Sequence, residues 1–152
     1  LVSESFEAFV NVGLLDAEYD GFIADLDGAN AEGLVEPTNN DYLTPKYAPE
    51  MTASFGGTFT TELGDGELQL FAKYSFVDEL YSITDNRDVG KIPSTEKIDA
   101  SITFLKDSYK ISLFGRNLTD EITSPVRDIS SLMIFGSPSV GTVYGITLSA
   151  NF

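Results

Sequence analysis

Six stretches of the chain alternate apolar and polar residues with a period of two, the repeat of a strand with one greasy face and one wet face. Ser5 to Leu14 places Phe6, Ala8, Val10, Val12 and Leu14 on one side, with Glu7, Asn11, Gly13 and Phe9 on the other. Met51 to Leu63 sets Met51, Ala53, Phe55, Gly57 and Phe59 against Thr52, Ser54, Gly56, Thr58 and Thr60. Glu67 to Val77 sets Leu68, Leu70, Ala72, Tyr74 and Phe76 against Gln69, Phe71, Lys73 and Ser75. Lys97 to Leu105 alternates Ile98, Ala100, Ile102 and Phe104 with Asp99, Ser101 and Thr103. Tyr109 to Arg116 alternates Tyr109, Ile111 and Leu113 with Lys110, Ser112 and Arg116. From Val140 to Phe152 the apolar side is Val140, Thr142, Tyr144, Ile146, Leu148, Ala150 and Phe152. Helix signals are nearly absent. The pattern predicts an all-β, antiparallel up-and-down meander of about six long strands.

The connections sharpen this. Leu63-Gly64-Asp65-Gly66-Glu67 and Lys106-Asp107-Ser108 have the residues of tight hairpin turns, while Asp16 to Glu50, Asp78 to Glu96 and Asn117 to Ser139 are long. Short and long alternate, so in a meander all short turns fall at one end of the sheet and all long loops at the other. Outer-membrane barrels are built that way. A soluble β-sandwich has no reason to be. Several runs match the roughly 9–11 residues of a tilted membrane-crossing strand better than the ordinary five or six. Aromatics near strand ends (Tyr19, Phe22, Phe59, Tyr74, Phe76, Tyr81, Tyr109, Tyr144 and Phe152) suit an interfacial girdle. These features predict part of a transmembrane β-barrel.

Composition then removes alternatives. The chain has 24 acidic and 9 basic residues, a formal charge of −15, which excludes a phosphate-binding surface and hence a nucleic-acid partner. It has no Cys and no His, so ordinary zinc sites, thiol chemistry and a His-based triad are excluded. No apolar run approaches the ~20 residues of a spanning helix. No carboxylate pair flanks a defined cleft and no serine has a partner base, so the chain reads as no enzyme, and no cofactor is called for. A chain of 152 residues that opens on Leu1 reads as a mature or truncated piece.

Several segments resemble one family. Ile111 to Glu121, with Asn117-Leu118-Thr119-Asp120, looks like the segment near the end of TonB-dependent receptors where the penultimate strand exits into a loop. Leu14-Leu-Asp-Ala-Glu-Tyr19 is similar to a strand exit of the same barrels, and Tyr47-Ala48-Pro49-Glu50 to a strand re-entry. Gly136 to Gly145 resembles the family's final segment, with Ser139 where Arg is usual. The chain ends on Phe152, like the terminal aromatic that barrel-assembly machinery reads, with Tyr144 as a second element of that signal. The resemblance implies that residues 1–152 are the C-terminal part of such a receptor, about its last six strands, without the plug domain. It further implies a Gram-negative outer membrane as the location, with lipid around the wall. The whole protein would import a ferric siderophore or similar scarce nutrient, energised by the TonB complex through a missing N-terminal region. A passive porin-like barrel and a soluble acidic β-sandwich binding module are the competing expectations.

Candidate ligand-binding residues in the outer loops and lumen are Asp25, Asp27, Arg87, Arg116, Asn117 and Arg127. Asp25, Asp27, Asn30 and Glu32 offer hard oxygen ligands at roughly alternate positions, a weak Ca²⁺ candidate that lacks the full calcium-loop spacing. Nine carboxylates against one Lys between Asp16 and Glu50 read more simply as a solvated loop. Lys73, Asp99 and Lys110 read as lumen wall, with Asp99 a cross-strand partner for Arg116.

Overall fold

The computed structural model describes residues 5–26, 36–124, 126–129 and 134–151. Twelve strands follow in order: β1 (Phe6–Leu14), β2 (Ile23–Ala24), β3 (Thr38–Asn39), β4 (Met51–Leu63), β5 (Gly66–Val77), β6 (Leu80–Tyr81), β7 (Lys91–Ile92), β8 (Thr95–Lys106), β9 (Tyr109–Arg116), β10 (Val126–Ile129), β11 (Ile134–Ser137) and β12 (Val143–Ala150). The long ones form a single antiparallel sheet in the order β1-β4-β5-β8-β9-β12, and the short ones make three two-stranded hairpins. Six strands in a meander, as the alternation predicts, carry the fold. The sheet is open: β1 and β12 are its two edges.

Local chemistry fixes the strand ends. Leu63 pairs with Gly66 across the two-residue turn Gly64-Asp65, and Gly64 takes φ +66°, open to a residue without Cβ. Lys106 pairs with Tyr109 across Asp107-Ser108, where Asp107 holds φ +49°, a region Asn and Asp tolerate. The final strand starts three residues later than its alternation suggests. The Thr142 N–H donates to the Asp120 carboxylate at 2.9 Å, so a side chain takes the donor that would have extended the ladder. Phe152 lies outside the described residues.

Register turns the alternation into two continuous faces. One row of direct cross-strand neighbours runs Phe6, Phe59, Leu70, Ile102, Leu113, Ile146, and all six are exposed. The next apolar row is Leu68, Phe104, Ile111, Leu148. Between them lies the polar row Thr60, Gln69, Thr103, Ser112, Thr147, pointing the opposite way, with the Thr103 and Ser112 hydroxyls bonded at 2.8 Å. Aromatics on the polar face cover glycines: a Cβ on Gly56 would stand 2.9 Å from Phe9, and one on Gly145 only 2.3 Å from Phe114. This is the filling of a glycine gap by a neighbouring ring.

No second layer packs on the apolar face among the described residues. The buried apolar residues are Leu43 and Ile92, and both belong to the loop end. A two-sheet sandwich buries its inner faces against each other. The soluble sandwich expectation therefore fails.

Candidate functional site

All three long connections leave the same end of the sheet, as expected, and there they fold into a cap with its own hydrogen bonds. In the first, spanning β2 and β3, Asn40 is buried at 3% exposure, and its Nδ2 donates to the carbonyls of Ala24 and Thr38 at 2.9 and 2.8 Å. The Asp41 carboxylate accepts the Phe22 N–H at 2.6 Å and the Asn39 amide at 2.8 Å. Those donors, the Phe22 N–H first, hold its carboxyl below the usual value of 3.8. The Tyr19 and Phe22 rings meet in a tilted pair, 4.5 Å between centroids, with Phe22 just ahead of β2. The second connection, spanning β6 and β7, closes on itself. Ser82 sends both its N–H and its hydroxyl to the Gly90 carbonyl, and Glu79 pairs with Lys91 at 2.7 Å.

Between these loops and the sheet lies a cleft of about 940 Å³. Its wall includes the carboxylates of Asp16, Glu18, Asp41, Glu50 and Asp78, with Tyr42 and Leu15 beside them. No Lys or Arg lines it among the described residues. Tyr42 is 81% exposed and presents its ring to whatever enters. Three chain segments meet because Leu14 pairs with Met51 and Thr52 with Val77, so the exits of β1 and β5 and the entry of β4 lie side by side. Sequence reading missed most of this wall. The polar run Pro37-Thr38-Asn39-Asn40-Asp41 was the available signal, since Asn and Asp side chains build local turns.

The candidates named from sequence are scattered. Asp25 follows β2 in the first loop, while Asp27, Asn30 and Glu32 lie outside the described residues, so the calcium arrangement is not described. Arg87 belongs to the second loop and pairs with Asp85 at 2.5 Å. Arg127 lies on β10. Arg116 ends β9 on the polar face, its guanidinium carbon 5.3 Å from the Phe114 ring centroid, a cation–π contact. The expected pairing of Arg116 with Asp99 is replaced: Asp99 accepts the Asn117 N–H at 2.9 Å.

Asn117 is buried and hydrogen-bonded among the loop ends. It is 6% exposed at φ +52°, and its Nδ2 donates to the carbonyls of Glu121 and Val140 at 2.9 and 3.2 Å. Its Oδ1 accepts the Glu121 N–H at 3.0 Å, and both Nδ2 protons are taken by the two carbonyls. Around it, Thr119 donates to the Glu96 carbonyl, the Leu118 N–H to the Ile98 carbonyl, and the Thr142 hydroxyl to the Asn117 carbonyl. Asn117 to Asp120 is thus a clasp joining the loop ends of β8, β9 and β12. Tyr144, on edge strand β12, lies on the apolar face opposite Gly115 and is 75% exposed.

No family model matches the chain, and no curated protein matches it. A solved structure does: the ferric yersiniabactin uptake receptor FyuA from Yersinia pestis, with a TM-score of 0.76 at 15% identity, over 99% of this chain and 21% of that one. The likeness shows the fold: the open six-stranded antiparallel sheet of this chain is similar to part of that receptor. The chain spans about a fifth of that receptor's length.

Proposed function

We propose that this chain is a wall-and-loop segment of an outer-membrane TonB-dependent receptor that takes up a scarce small nutrient of the ferric-siderophore kind. One observation carries the membrane part of the reading. The chain exposes 10548 Å², whereas a compact monomer of its 16.5 kDa exposes only ~7,500 Å². Apolar rows cover one face of the sheet from edge to edge and stand exposed. Soluble monomers expose contiguous apolar patches of only a few hundred Å². Hydrocarbon satisfies such a face, and a closed barrel satisfies the two open edges.

Neither edge, β1 (FEAFVNVGL) or β12 (VYGITLSA), carries the Lys or Pro that keeps many soluble edge strands single, and the one charge on them is Glu7. Both therefore belong between neighbours in the working protein, and the loop clasp and cleft face the cell exterior. The sequence resemblance and the receptor fold of the solved neighbour support uptake over a passive pore. Ligand enters at the acidic cleft, whose five carboxylates favour a cationic, metal-bearing or neutral ligand over an anion. Asp25, Asp27, Arg87, Arg116, Asn117 and Arg127 stand as further candidate ligand contacts of loops and lumen. TonB coupling engages an N-terminal region of the receptor, and the barrel-assembly machinery reads the C-terminal strand through Tyr144 and Phe152.

Fractionating cells that express the complete gene tests this. The protein is expected in the outer-membrane fraction, and uptake of its ligand is expected to stop when TonB is deleted. A detergent-free compact monomer of this chain would end the membrane reading. Uptake that persists without TonB would instead favour a passive pore.

A further inference from the structure

Tight turns join β4 to β5 and β8 to β9, and a two-residue turn fixes how its strands align. The other neighbours in the sheet, β1 with β4, β5 with β8 and β9 with β12, are separated in sequence by the long connections. A long connection leaves the alignment open. A slip of one residue is rejected, because it turns the apolar side of a strand to the wrong face. A slip of two keeps every side chain on its proper face, so alternation alone does not reject it.

A ring packed on a glycine stands at each of the three open pairs. Between β1 and β4, a Cβ on Gly56 would lie 2.9 Å from Phe9 on the polar face, and one on Gly57 2.9 Å from Phe6 on the apolar face. Between β5 and β8, a Cβ on Gly66 would meet Phe104 at 2.5 Å. Between β9 and β12, Phe114 covers Gly145 on the polar face, and Tyr144 lies 3.2 Å from the Cβ position of Gly115 on the apolar face. Across the two turn-linked pairs, no ring is among the nearest neighbours of a described glycine. A two-residue slip would set Phe9 opposite Ser54 or Thr58, and Phe114 opposite Val143 or Thr147. Each of those residues puts a side chain where the ring now lies, and such overpacking is unfavourable.

We propose that these rings are register keys: Phe6, Phe9, Phe104, Phe114 and Tyr144 select the alignment of each strand pair whose connection is too long to do so. The loop end depends on that choice. Two residues are ~7 Å of strand. Moving β1 that far along β4 parts Leu14 from Met51 and carries Asp16 and Glu18 away from Glu50 and Asp78. Rings inside the wall thus position the carboxylates of the cleft, whatever the cleft binds. The same stagger enters the tilt and width of the closed cylinder.

The chain contains no Cys, so introduced disulfides read the register of β1 in the full chain refolded in lipid vesicles. Val12→Cys with Ala53→Cys joins direct neighbours and reads the present alignment. Val12→Cys with Phe55→Cys joins direct neighbours only after a two-residue slip; without it the two are diagonal, ~7–8 Å apart, beyond disulfide reach. Exchanging Phe6 with Ala8 and Phe9 with Asn11 (Phe6→Ala, Ala8→Phe, Phe9→Asn, Asn11→Phe) keeps composition and faces but moves both rings two positions along β1. The rings then meet Gly57 and Gly56 only in the slipped alignment. In the exchanged chain the ratio of slipped to present disulfide is expected to rise about 10-fold or more, the factor that forcing a side chain against a ring imposes on the wrong register. Thr60→Cys with Gln69→Cys, across the turn-linked pair β4 and β5, is expected to close equally in both chains. An unchanged ratio in the exchanged chain overturns the proposal. So does loss of both β1 disulfides while Thr60 and Gln69 still join, since the moved rings would then select no register. Loss of the Thr60–Gln69 disulfide as well overturns it too, because the rings would then be holding the whole sheet rather than one alignment.

Discussion

Substituting Ile102 by Arg tests whether the apolar face meets hydrocarbon. On β8 the same face carries Glu96, Ile98, Ala100, Ile102, Phe104 and Lys106, so two charges bracket four apolar positions. Glu96 and Lys106 are ten positions apart, which at ~3.4 Å per residue is ~34 Å along the strand. With the ~40° tilt of barrel strands this projects to ~26 Å along the membrane normal, against an apolar band of ~25 Å. Ile102 therefore lies near mid-depth, and an Arg there costs about 2–4 kcal/mol in lipid. At about 1.4 kcal/mol per tenfold, the lipid partition of the chain falls ~30- to 700-fold. The control is Ser101→Arg, one residue away on the polar face, whose cost is ~0–1 kcal/mol if that face meets water. Refolded chain mixed with a series of lipid-vesicle concentrations, separated by flotation, gives the partition directly. The reasoning is refuted if Ile102→Arg floats like the unchanged chain, or if Ser101→Arg loses as much.

Three further outcomes follow from named contacts. Asn117→Ala strands the Glu121 N–H and two carbonyls in a buried site, at a cost of ~1–3 kcal/mol, seen as faster proteolysis between residues 118 and 142 with the strands intact. Gly145→Val drives a side chain into the Phe114 ring and destabilises by ~1–3 kcal/mol, and adding Phe114→Ala is expected to recover part of that loss in a double-mutant comparison of denaturation midpoints. Because the Asp41 carboxyl is held below its ordinary value, its tie to Phe22 is at full strength above pH ~4 and is lost as pH falls through the lowered value. Carbon-13 titration of Asp41 is expected to show a midpoint below 3.8, and Phe22 amide exchange to quicken in step; a midpoint at or above 3.8 contradicts the hydrogen bonding.

The parts of the fold legible in the sequence are those governed by local periodicity. Met51–Leu63 and Tyr109–Arg116 were readable to the residue, because alternation and turn residues agree there. Thr95–Lys106 runs past its alternating stretch at both ends because β5 offers partners as far as Val77 at one and Tyr109 of β9 pairs with Lys106 at the other. The two-residue strands of the cap, such as Leu80–Tyr81, were invisible since so short a segment has no period. The cleft was hidden for another reason: Glu18, Asp41 and Asp78 are far apart in the chain and meet only through the register of β1, β4 and β5. Asn117 drew attention as a polar residue at a strand exit. Its neighbours Thr119 and Asp120 were the sign of a self-contained turn, for Asx and hydroxyl side chains at such spacing bond to nearby backbone.

The polar face argues independently for more strands than these six. Six strands ~4.8 Å apart and tilted ~40° would close at a radius of only ~6 Å. Even eight strands leave an interior just wide enough for side chains to fill. On that face this chain carries Phe9, Phe71, Lys73, Phe114 and Arg116, which such a tube has no room to hold. Closure with the polar face outward would bury the apolar rows but force the same large Phe59, Ile102 and Leu113 into that small space. The strand count is even, so β1 and β12 run in opposite directions, and each edge accepts an antiparallel neighbour without any change of topology. A wider cylinder that gives each edge a neighbour relieves the crowding and pairs both edges at once. Its lumen is then lined by rings, guanidinium and ammonium groups that need water or a polar filling.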